Sequence, residues 1–60
     1  MPNLSHSELN SIREVVSCHQ NVSNKLQSYA GECKDQNIKR MFSQAAQEAQ
    51  KSAQQLIQML

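Results

Sequence analysis

The chain has 60 residues, with six Lys and Arg against five Asp and Glu, a formal net charge of +1 at pH 7. That allows one domain at most, and a monomer this small buries only about 60% of the surface its unfolded chain exposes, so partners or staples are expected to matter. Near-neutral charge argues against a nucleic-acid partner, because binders of that class carry a basic face that displaces counterions.

The hydrophobic content is 38%, and no apolar run approaches the roughly 18 residues a membrane span needs. Met1-Pro2-Asn3-Leu4-Ser5-His6 has no basic stretch leading into an apolar core. No secretory signal or membrane partner is therefore expected, and a cytoplasmic location follows. Glycine and proline occur once each. Sheets and loop-rich folds draw heavily on both for their turns, so the expected class is all-α. Pro2 falls outside any expected element, leaving nothing to interrupt the chain from Asn3 to Leu60.

The first helix has a readable start. Ser5-His6-Ser7-Glu8 fits the capping box, in which a serine oxygen takes one orphan N–H and a glutamate reaches back to another. Leu4 and Leu9 are spaced for the hydrophobic staple around it. Apolar residues then recur at Leu9, Ile12, Val15, Val16, Val22, Leu26, Tyr29, Ala30 and Cys33, in helical steps of three and four. The helix is expected over residues 6–33, running through Gly31 because Cys33 continues the apolar period.

Asp35 is the expected N-cap of the second helix, its carboxylate placed to accept from Asn37 or Ile38. That helix is expected over residues 36–60, with an apolar stripe of Ile38, Met41, Phe42, Ala45, Ala46, Ala49, Ala53, Leu56, Ile57, Met59 and Leu60. The intervening glutamines read as a solvated face rather than low complexity.

Two helices near 25 residues, each roughly 38 Å long, joined by a short connection, make an antiparallel hairpin occupying residues 1–60 as one domain. Val15, Val22 and Tyr29 flank the row Ile12, Val16, Leu26 and Ala30, a stripe wide enough for two neighbours rather than one. Two hairpins related by a twofold axis would form a four-helix bundle, so an obligate homodimer is expected. Its core would contain Ile12, Val16, His19 and Leu26 from helix 1 and Phe42, Ala49 and Leu56 from helix 2.

Chemistry is sparse. Cys18 and Cys33 share a helix about 22 Å apart, too far for a disulfide within one hairpin, and their spacing fits no zinc pattern. They read as small reduced core thiols, with an intermolecular cross-link through Cys33 as the alternative. His19 interrupts the apolar row. Its level on helix 2 offers Glu48, but Glu48 is followed three residues later by Lys51 and no Glu-x-x-His exists, so a di-metal site of bundle type is not expected. His19 and Glu48 are weak metal candidates only; the favoured reading is a buried imidazole bonded to a Gln or to its dimer mate. Cys18 and His19 are consecutive and cannot face each other on a helix, and there is no Gly-rich phosphate loop. No enzyme activity, catalytic residue or cofactor is expected.

The segment Tyr29-Ala30-Gly31-Glu32-Cys33-Lys34-Asp35-Gln36-Asn37-Ile38-Lys39-Arg40-Met41-Phe42 resembles small proteins of the spore coat protein F type from spore-forming Firmicutes, a ferritin-like helical family. Those often read Tyr-Ala, two polar residues, Cys, a polar residue, Asp, then Leu-Lys and a Met or Leu pair. The likeness continues through Gln44–Lys51 and Leu56–Leu60. It implies a ferritin-like bundle of self-associating hairpins and a structural role in the spore coat, with other coat proteins as partners. The family's usual helix-2 histidines fall here on Ala49 and Ser52, and its helix-1 acid near His19 or Gln20, so the resemblance implies no intact metal site. Three functions are thus in competition: a non-catalytic structural or assembly protein, a ferritin-like metal or redox protein with a degenerate site, and a helical adaptor for another protein.

Overall fold

Ser5 opens the first helix. Its side-chain oxygen accepts from the Glu8 backbone N–H at 3.0 Å, while Glu8 Oε1 accepts from the Ser5 N–H at 2.9 Å. The reciprocal pair completes the capping box and satisfies two orphan donors. The bond from the Ser5 backbone, and then that with its side chain, hold the Glu8 carboxyl below its usual value of 4.5. The structure, a computed structural model, describes residues 4–60; the expectation for Pro2 lies outside them.

Helix α1 spans His6–Glu32 and helix α2 spans Gln36–Ile57. Cys33 is the C-cap of α1 rather than its last turn. Its N–H is shared between the carbonyls of Tyr29 at 3.0 Å and Ala30 at 3.3 Å, and its own backbone is extended. Gly31 stays helical with negative φ, so the helix ends without a left-handed glycine cap. Asp35 Oδ1 accepts from the N–H groups of Asn37 at 2.8 Å and Ile38 at 3.1 Å, capping α2.

At the other end α2 stops at Ile57, short of the expected residue 60. The apolar period continues through Met59 and Leu60, but hydrogen bonding does not. The N–H groups of Met59 and Leu60 turn to the carbonyls of Leu56 and Ile57, three residues back. This tightening is a common way for a last turn to satisfy its carbonyls.

The helices pack side by side as an antiparallel hairpin, a slab with Cα extents of 47 × 15 × 9 Å. All described secondary structure is helical. The seam follows a heptad row on α1, Leu9, Val16, Ser23 and Ala30, set against Ala46 and Ala53 of α2. Among the described residues, Val16, Ser23, Ala30, Ala46 and Ala53 are buried. Four of the five are small, which lets the backbones come close. The Ser23 hydroxyl reaches across the seam and donates to the Ala46 carbonyl at 3.0 Å. This bond also fixes the level of one helix against the other.

Candidate functional site

On one broad side of the slab the seam opens into a groove of about 420 Å³. Helix α1 contributes Cys18, His19, Val22 and Leu26, and α2 contributes Ala45, Glu48, Ala49 and Ser52. One wall is therefore built of larger side chains. The other is mostly alanine and serine, with Glu48 at its edge. The asymmetry follows from sequence, since the α2 stripe is alanine-rich through its middle and the α1 stripe is not.

Of the residues assigned to a dimer core, Val16 is buried and Ile12, His19, Leu26, Phe42, Ala49 and Leu56 are half-buried. The structure brings His19, Leu26 and Ala49 to the same groove. Phe42 lies nearer the connection, its ring tilted at 54° against Tyr29 with centroids 5.9 Å apart. Such a tilted contact suits the ring quadrupoles.

His19 differs from expectation in its partner. Nδ1 lies 2.9 Å from the carbonyl oxygen of Val15, one turn back on its own helix, rather than meeting a glutamine. A carbonyl only accepts, so Nδ1 carries the proton in this bond and Nε2 remains for whatever enters the groove. Cys18 also differs. It is exposed rather than a core thiol, and both cysteines are free. Position 18 is two residues past buried Val16, which turns it about 200° away from the seam.

His19 and Glu48 share the groove lining, but among the described residues no three His, Cys, Asp or Glu side chains gather where they could hold a metal ion. A histidine and one carboxylate supply two donors, short of the four ligands of a structural zinc site or the carboxylate-rich sets of bundle di-metal centres. Among the described residues no helix is long and apolar enough to cross a membrane.

The same side carries exposed apolar residues in the groove wall and past its ends. Val15 is 42% exposed, Val22 48% and Tyr29 49%, seven residues apart along α1. Ile38 and Met41 extend the patch onto α2 near the connection, and both are exposed. The width of the sequence stripe pointed to this surface.

Ser23 was not foreseen. As a polar residue it drops out of an apolar stripe, yet its exposure is 0% and its hydroxyl is satisfied. Its seven-residue spacing from Val16 and Ala30 was the available signal. Comparison with protein-family models, curated proteins and solved structures finds no match to this chain.

Proposed function

We propose that the chain is a non-catalytic structural protein that works by self-association of its hairpins into a four-helix bundle. The observation that carries this reading is the exposed row Val15, Val22 and Tyr29 running beside the open groove. An apolar surface of this length on a 60-residue chain is costly to leave in water. A hairpin with five buried residues among those described has little core of its own, whereas a second layer of helices would cover the groove and the row Val15, Val22 and Tyr29. The likeness to the spore coat protein F type adds a place for such an assembly, as a component of the spore coat with other coat proteins as neighbours.

Thermal melting across a wide range of protein concentration tests self-association, because a fold held by association gains stability by mass action. A melting temperature that climbs with concentration supports the proposal. A constant melting temperature over a hundredfold or so range removes it. The coat assignment has its own test: the protein should be made during sporulation and recovered with the coat fraction, and expression confined to vegetative growth would reject it.

A further inference from the structure

The apolar side also carries information about how two copies would meet. We propose that the groove is filled by a second copy of this chain, related by a twofold axis running along the hairpin's length, so that both helix connections lie at the same end of the bundle. This rests on the self-association reading and adds its geometry.

Area favours a partner as large as the slab itself. A face 47 Å by 15 Å offers roughly 700 Å² per copy, close to the ~800 Å² per partner of a stable interface. Two axes in the plane of that face give closed dimers. An axis along the hairpin lays each α1 over the other copy's α2. An axis across the hairpin lays α1 on α1 and α2 on α2, with the connections at opposite ends.

The walls of the groove distinguish the two arrangements. The Ser23–Ala46 bond sets Ser23 level with Ala46, so Val22 stands between the heights of Ala45 and Ala49, and Leu26 between those of Phe42 and Ala45. With the axis along the hairpin every residue keeps its height. Val22 of one copy then enters the hollow between Ala45 and Ala49 of the other, with Leu26 beside Ala45, and that copy's pair fills the first groove in the same way. Bulk meets hollow at both contacts, which is the knob-into-hole condition for dense packing. With the axis across the hairpin, bulk meets bulk along the α1 pair, while alanine meets alanine along the α2 pair and leaves a gap.

Charge selects the same arrangement. Glu48 sits at the groove on α2 and His19 on α1. The lengthwise axis places Glu48 beside His19 of the second copy, a ring that carries no negative charge. The crosswise axis, passing through the middle of the groove, brings the two Glu48 carboxylates together, and such like-charge contacts disfavour an interface. The lengthwise axis also forbids sliding, because a pure twofold has no translation along itself. Register is then fixed by symmetry.

Spin-label distances decide it. In a Cys18→Ser, Cys33→Ser background, one cysteine is introduced at exposed Lys34 in the connection or, as an independent variant, at exposed Ser7 near the opposite end. Association is checked on each labelled sample. The proposal expects short distances at both sites, with backbones about 14 Å apart across the diagonal of helices spaced at ~10 Å. Dimers showing about 35–45 Å at both sites, twice the rise from the groove to each end, would overturn the lengthwise axis and leave self-association standing. Folded monomers would remove both.

Discussion

The two broad faces of the hairpin contrast sharply. By helical spacing, one presents Gln20, Asn24 and Gln27 of α1 beside Ser43, Gln47, Gln50 and Gln54 of α2, all exposed polar side chains. The other presents Val15, Val22 and Tyr29 beside a groove walled by Leu26 and Ala49. Between them the seam buries one valine, three alanines and one serine. The difference shows where stability has to come from. Small seam residues set the spacing of the helices but remove little apolar area from water, at roughly 25 cal/mol per Å². The exposed apolar row Val15, Val22 and Tyr29 stands on one face, the face that self-association is proposed to cover.

Substitutions can break this contrast. The largest effect is expected from Leu26→Asp, which puts a carboxylate into the groove wall. If the face is covered in the assembly, the unpaired charge costs about 3–5 kcal/mol, so the protein should both dissociate and lose helicity by circular dichroism. Gln27→Asp adds the same charge one residue away on the polar face and should leave mass and helicity unchanged. Equal behaviour of the two variants would erase the distinction between the faces.

A smaller loss is expected at the start of α1, which belongs to neither face. Ser5→Ala should cost about 0.5–2 kcal/mol by removing an N-cap side chain, read from chemical denaturation, without altering association. The capping box also gives a pH dependence. Its hydrogen bonds hold the folded Glu8 carboxyl below 4.5, so the unfolded chain takes up the proton first as pH falls. The stabilisation is complete above about 4.5 and is lost as pH drops through the folded value. The stability gap between wild type and Glu8→Gln should therefore close in acid. A gap that widens below pH 4.5 would contradict the box.

Smaller again, and opposite in sign, is Gly31→Ala. Gly31 is helical and exposed, and a Cβ there meets nothing within 4 Å. The change should stabilise the protein by about 0.5–1 kcal/mol through backbone entropy. A loss of stability in the denaturation midpoint would mean that this position is covered by something the hairpin alone does not show.

Much of the fold was legible because its signals are local. Ser5 with Glu8, and Asp35 with Asn37 and Ile38, are capping patterns written within four residues, and they appear as hydrogen bonds in the structure. Apolar period alone was less reliable at helix ends. It carried α2 through Leu60, whereas backbone bonding ends the helix at Ile57. The candidate site was legible as a stripe but not as contacts. Ser23 was hidden because an apolar pattern omits serine, although a hydroxyl that donates to a neighbouring backbone is well suited to a tight seam. His19 lines the groove, and spacing alone cannot separate its Val15 partner from the many glutamines. Cys18 was misassigned to the core because its residue type suggested burial more strongly than its phase on the helix did.

Covering of the apolar face by another copy of the chain would show first in the mass of the wild-type protein in solution. Light scattering at micromolar concentration, on a sample shown to be helical, should give twice the mass of one chain. A stable, fully helical species with the mass of a single chain would show instead that the hairpin stands alone with its apolar face in water.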